Sequence, residues 1–204
     1  MFEKRFMEMI YRKAQKPEDL LWHSEEPSPF LVDAIQQRKL PGRALDIGCG
    51  AGVFSVYLAK RKYDVTGIDF IPIALQMGKR RAEQAHVTVN FVEADLFEWR
   101  APYPFDIVLD SGCLHTIGNR NLQRYKQQLL SWTDQGADFI LGHFGKRNFL
   151  DWRPVGPHRR TREEIVALFA PEFEVKKYDD QIQTNVPLPV GPSVQLMSLW
   201  FKRV

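Results

Sequence analysis

Between residues 44 and 144 the chain alternates two kinds of segment, and few folds accommodate that alternation. Short apolar runs, "ALDIG", "DVTGID", "VTVNFVEA", "FDIVLD" and "DFILGHF", are separated by "VFSVYLAKR", "PIALQMGKRRAEQA" and "NLQRYKQQLLSW", which read as helices. Strand and helix in turn predict an α/β fold, a mostly parallel sheet with helices on both faces. Two helices precede it. "FEKRFMEMIYRKA" has apolar residues at 2, 6, 9 and 10, and Ser28 and Pro29 form an N-cap and first-turn proline for "FLVDAIQQ". After residue 160 the pattern changes: Thr161 and Glu164 make a capping box for "REEIVALFA", and "FEVKKYD" and "VQLMSLWFK" read as strands flanking a proline-rich stretch from 186 to 192.

The first apolar run opens into a turn with glycines at 48, 50 and 52. Glycine permits left-handed dihedrals and close approach of a ligand to the main chain, so this G-x-G-x-G turn is a binding turn. In a sheet of this kind ligands bind beyond the carboxyl ends of the strands. Those ends carry Asp46, Asp69 at 23 residues further on, and Asp95. An acidic side chain at position 69 suits the two hydroxyls of a ribose. A dinucleotide fingerprint, however, wants G-x-G-x-x-G, and Val53 stands where its third glycine belongs. A carboxylate two residues before the turn also opposes a pyrophosphate and tolerates a cation.

Composition narrows the class. With 204 residues, 44% of them hydrophobic, the chain suits one domain large enough for a core and a cleft. No apolar run approaches the roughly 20 residues of a membrane helix, and no signal peptide is visible, so no membrane partner is expected. Two cysteines, Cys49 and Cys113, fit a reduced cytoplasmic chain better than a disulfide scaffold. The formal charge of +3 and the clusters "KRK" at 60–62 and "KRR" at 79–81 read as solvated helix ends, with no aromatic RNA motif beside them, so no nucleic acid is expected.

The segments "ALDIGCGAGVFSVYLAKRKYDVTGIDF", "VEADLF" and "FDIVLDSGCLHTI" resemble consecutive motifs of the class I S-adenosylmethionine-dependent methyltransferases. The resemblance spans roughly residues 20–202. It implies a Rossmann-like, doubly wound, seven-stranded sheet whose last strand is antiparallel, in one domain over 1–204 with a helical lid segment at 1–40 and a core at 41–204. By position it implies that Asp46, Gly48, Cys49, Gly50 and Gly52 lie at the cofactor's amino-acid part and that Asp69, with Phe70, lies at the ribose. Asp95 and Leu96 would lie at the adenine amine, Ile71 and Phe97 on the adenine faces, and Asp110 and Ser111 near the methionine ammonium. S-adenosylhomocysteine would be the product, and no metal is expected.

Within that family, "LLWHSEEPSPFLVDAI", "DSGCLHTI" and "GPHRRTREEIVALFAPEFEV" are similar to small-molecule methyltransferases of the thiol and thiopurine group. This implies that Trp22 closes over the cofactor, the alternative being a hydrophobic anchor. "DSGC" departs from the N-P-P-Y signature of amine and amide methylation, and no proline precedes Cys113 as in cytosine-5 enzymes. Cys113, His115, His143 and Phe144 follow the strand ends that border the transfer site. His115 is a general base or a donor orienting the nucleophile, or else a packed histidine. The expectation is methyl transfer to a small-molecule acceptor, S, O or N, with a thiol favoured. A non-catalytic S-adenosylmethionine-binding module is the alternative of another class.

Overall fold

The structure is a computed structural model and describes all residues except 1, 15, 21–23, 148–150, 152–156 and 185–192, together with the side chains of 2–6 and 17. The expected role of Trp22 lies outside the described residues. Seven strands form one sheet: β1 (Arg43–Ile47), β2 (Asp64–Asp69), β3 (Asn90–Glu93), β4 (Phe105–Ser111), β5 (Thr133–Gly145), β6 (Phe173–Thr184) and β7 (Ser193–Arg203). Their order is β3-β2-β1-β4-β5-β7-β6. Strands β1 to β5 pair in parallel, and β7 runs antiparallel to both β5 and β6. The α/β expectation and the antiparallel last strand are both met.

Strand residues alternate between two apolar layers. Leu45, Ile47, Val108, Phe139, Leu141, Leu199 and Phe201 face α5 (Leu122–Ser131) and α6 (Arg162–Phe169), burying Tyr125, Leu129, Ile165 and Phe169. Ala44, Val65, Ile107, Leu109, Ile140 and Trp200 face the other way, against Leu31 and Ala34 of α2 (Pro29–Gln37) and Leu58 of α3 (Val53–Ala59). At roughly 25 cal/mol per Å² of apolar area, two dry layers on one sheet are the dominant stabilisation. The helix α4 (Pro72–Gln84) carries α1 (Phe2–Lys13) on its outer side through Tyr11, Ala14, Leu20, Ile71 and Ala74.

Local signals act as read. The Ser28 hydroxyl accepts the Phe30 amide at 3.3 Å, and the Thr161–Glu164 capping box is closed in both directions. Two boundaries differ. The strand expected over 87–94 begins only at Asn90, where pairing with Thr66 starts, while Val87 and Val89 pack against the core instead. The strand expected over 173–179 continues to Thr184, because β7 supplies a partner as far as Ser193. Nor is "KRR" wholly solvated: Arg81 bridges Glu25 at 2.9 Å and Glu18 at 3.4 Å, fastening the N-terminal segment to α4. Such half-exposed pairs contribute about 0–1 kcal/mol each.

Candidate active site

The strand order reverses between β1 and β4, and the loops that follow β1, β2 and β4 meet there. Gly50 and Gly52 hold φ of +53° and +71°, in the left-handed region that side-chain-bearing residues avoid. A Cβ on Gly52 would lie 2.7 Å from the Phe91 ring and 3.0 Å from the Gly78 Cα, so the turn also packs tightly on β3 and α4. A Cβ on Gly50 would lie 2.6 Å from the Tyr11 hydroxyl, which places α1 against the open side of the turn.

Asp69, buried at the end of β2, organises this turn. Its Oδ2 accepts the Gly50 amide and its Oδ1 the Ile71 amide, each at 2.9 Å. One carboxylate therefore fixes both the glycine turn and the start of α4. Ile71 is fully buried beneath Tyr11 and Leu20, and Phe70 is exposed beside it. Across the site, Asp95 is exposed in the loop after β3 and accepts the Phe97 amide at 2.8 Å. Leu96 and Phe97 are half-buried against the core, with Arg124 stacked on Phe97.

Two more carboxyls sit deeper. Asp46 is buried with the Ser55 hydroxyl donating to it at 2.6 Å. Burial, reinforced by the charges of Asp110 and Asp69, pushes its pKa up to about 7. Asp110 is fully buried and accepts the Tyr125 hydroxyl at 2.5 Å and the amides of Gly112, Cys113 and Leu114. Desolvation outweighs these bonds and raises it to about 6. The Asp110 side chain thus shapes the loop after β4, and Ser111 at the strand end is exposed. Both cysteines are free, and burial holds both thiols protonated, so they pack rather than react. Cys113 lies against Gly48: a Cβ there would be 3.1 Å from the cysteine Cβ.

These shifts have opposite consequences for stability. Folded Asp46 keeps its proton to a higher pH than the unfolded carboxyl, so its contribution falls as pH rises from about 4 to about 7. His115 and His143 are depressed to about 3, so theirs falls as pH drops from about 6.5 toward 3. Asp46→Asn, which cannot ionise, is therefore expected to gain stability over the parent by on the order of 2 kcal/mol between pH 5 and pH 8. Denaturant unfolding at both pH values, without added cofactor, checks this; a difference that stays constant contradicts the assignment.

The loop after β4 meets β5 through two histidines. His143 is buried; its Nδ1 lies 2.8 Å from the Phe144 carbonyl and its Nε2 3.1 Å from an Arg160 guanidinium nitrogen. Arginine only donates, so Nε2 accepts and the proton is on Nδ1. His115 stacks on Phe144 at 4.5 Å and meets His143 edge-on at 6.1 Å. Burial and the neighbouring His143 and Arg160 keep its ring neutral at pH 7, with weak proton affinity. Of the three expected roles, this environment disfavours the base and fits an orienting ring or a packed histidine. Tyr11, Ser55, Tyr125 and Arg160 were not singled out in the sequence. The only local signals were Ser55 in the first turn after the glycines and Arg160 before the capping box.

The family described as "Methyltransferase domain" matches residues 44–136. A 2-heptyl-1-hydroxyquinolin-4(1H)-one methyltransferase of Mycobacteroides abscessus is 29% identical over 174 residues, 81% of this chain and 72% of the relative. An uncharacterized methyltransferase of Schizosaccharomyces pombe is 30% identical over 132 residues, 63% of this chain and 90% of its own length. The solved Burkholderia thailandensis 1,6-didemethyltoxoflavin-N1-methyltransferase, bound to 1,6-didemethyltoxoflavin and S-adenosylhomocysteine, superposes with a TM-score of 0.72 at 19% identity, covering 98% of this chain and 86% of that one.

Proposed function

The chain belongs to the class I S-adenosylmethionine-dependent methyltransferases, and from that premise we propose that it methylates a hydroxyl oxygen carried on a small planar ring. The observation that carries this reading is that the loop after β4 touches the glycine turn through Cys113, which lies against Gly48, and two residues later carries His115, stacked on Phe144. The turn fits the cofactor: at Gly50 a Cβ would fill the space between turn and Tyr11, and Asp69 is locked beside it. A carboxylate oxygen accepts two hydrogen bonds, so the two Asp69 oxygens that hold Gly50 and Ile71 also suit ribose hydroxyls. Gly48, Cys49, Ser111 and the main chain at Asp110 would hold the amino-acid part, with Asp46 buried just before the turn. Asp95, Leu96, Phe97 and Ile71 would hold the adenine.

S-adenosylmethionine supplies a methyl group already activated on a sulfonium. The protein's task is alignment and exclusion of water, which together can account for roughly 7–11 kcal/mol of a barrier. The His115–Phe144 stack gives a flat acceptor a flat wall, and His115 orients it as a neutral hydrogen-bonding ring. Cys113 lies on the same side, and His143 is buried behind the stack, held by the Phe144 carbonyl and Arg160. The hydroxyl reading is favoured over the thiol by the relative whose named acceptor is a hydroxylated quinolinone.

Three quinolines that differ only in carrying a hydroxyl, thiol or amine at position 6 test the acceptor atom. Initial rates with S-adenosylmethionine, read by mass spectrometry, are expected to favour the hydroxyl compound by about tenfold or more in kcat/KM. Preference for the thiol restores the sulfur acceptor and removes the oxygen reading.

A further inference from the structure

Arg160 follows another arginine, and their surroundings differ. The main chain at Arg160 pairs with the end of β5: its amide donates to the Phe144 carbonyl and its carbonyl accepts the Lys146 amide, both at 3.2 Å. Neighbouring side chains then leave on different sides. Arg159 bonds the buried Asp151 carboxylate at 2.7 and 2.8 Å. Arg160 turns inward, 4% exposed, and donates to the carbonyls of Ile117 (2.6 Å) and Leu114 (3.3 Å), Asn119 Oδ1 (3.2 Å) and His143 Nε2 (3.1 Å). None of these partners is anionic. Among the described residues, the buried Arg160 Nε has no hydrogen-bond partner, and neither has His115 Nδ1 nearby.

Among the described residues no carboxylate bonds Arg160 directly. His115 and His143 are neutral, and Glu164, whose charge reaches Arg160, is itself bonded twice to Lys146 at 2.7 and 2.9 Å. Arginine does not deprotonate in proteins, and a buried charge without a counter-charge is costly. Fastening the loop after β4 to β5 accounts for the hydrogen bonds but not for the charge. A buried cation beside the acceptor wall has a use if the acceptor arrives as an anion.

We propose that Arg160 is a positioning residue that makes the site selective for an acceptor bound as an oxyanion conjugated to its ring, an inference that rests on the oxygen-methylation reading above. The acceptor gives its proton to water as it binds. An oxygen electron pair then forms the new carbon–oxygen bond while the methyl–sulfur bond breaks with its pair on sulfur, so oxyanion and sulfonium lose their charges together. The methyl ether is neutral, so Arg160 again lacks a bonded anion, and release is favoured. His115 has no proton to take, in keeping with its neutral, weakly basic ring.

The probe is 2-heptyl-1-hydroxyquinolin-4(1H)-one, titrated into the protein saturated with S-adenosylhomocysteine while its absorption spectrum is followed from pH 5 to 9. In the parent, the bound probe is expected to show the anion spectrum at least one pH unit below the ionisation of the free probe, a tenfold or greater preference for the anion. Arg160→Gln is expected to abolish the shift, and Arg160→Lys to keep part of it. A parent-bound probe that titrates like the free one overturns the inference without any variant, so a poorly folded Arg160→Gln leaves no gap. An equal shift in a folded Arg160→Gln also overturns it. If S-adenosylhomocysteine binds by calorimetry but the probe does not bind at all, the ring-oxygen reading falls and this inference falls with it.

Discussion

An Asp69→Ala protein is expected to bind S-adenosylhomocysteine roughly 10- to 150-fold more weakly than the parent, the 1.5–3 kcal/mol scale of hydrogen bonds to a charged group. The expectation has two sources. The carboxylate is the proposed partner of the ribose hydroxyls, and it also holds the Gly50 and Ile71 amides that shape the turn. Asp69→Asn separates them: its amide oxygen can keep one backbone bond, while the charge is lost. Calorimetric titration of all three proteins decides the matter. Parent-like affinity in Asp69→Ala removes Asp69 from the cofactor site.

The largest expected loss of stability is at Asp110. Asp110→Ala leaves the Tyr125 hydroxyl and the amides of Gly112, Cys113 and Leu114 without their acceptor in a region that excludes water. Several buried donors orphaned together should cost about 3–5 kcal/mol. Asp110→Asn should cost much less, because its oxygen still accepts from the amides and the Tyr125 oxygen can accept from its NH₂ group. Denaturant midpoints for both variants test this, and an Ala variant within about 1 kcal/mol of the parent would show that the loop after β4 is held by other contacts.

What could be read in advance followed from local rules. The strand and helix alternation needs only apolar periodicity, and the capping box at Thr161 and Glu164 spans a single turn. The glycine turn declares itself because glycine enters the left-handed region at least cost, as it does at positions 50 and 52. The contacts that were not legible join residues far apart in the chain. Tyr11 reaches Gly50 only because α1 lies on α4, and Tyr125 meets Asp110 because α5 crosses the end of β4. Nothing in the letters "HRRT" says that Arg159 bonds a carboxylate while Arg160 bonds carbonyls and His143. His115 was visible as a candidate, but its weak basicity depends on burial beside His143 and Arg160, which only the fold provides.

The glycine turn and the His115–Phe144 wall are proposed to form one methyl-transfer site. The most direct test is a single turnover with S-adenosylmethionine carrying a trideuterated methyl group, offered with ring-borne hydroxyl, thiol and amine acceptors and resolved by mass spectrometry. The intact trideuteromethyl group is expected on the hydroxylated ring, with one S-adenosylhomocysteine formed per methyl transferred. Tight binding of S-adenosylmethionine with neither a labelled acceptor nor S-adenosylhomocysteine in any reaction would contradict that expectation and identify the chain as a cofactor-binding module.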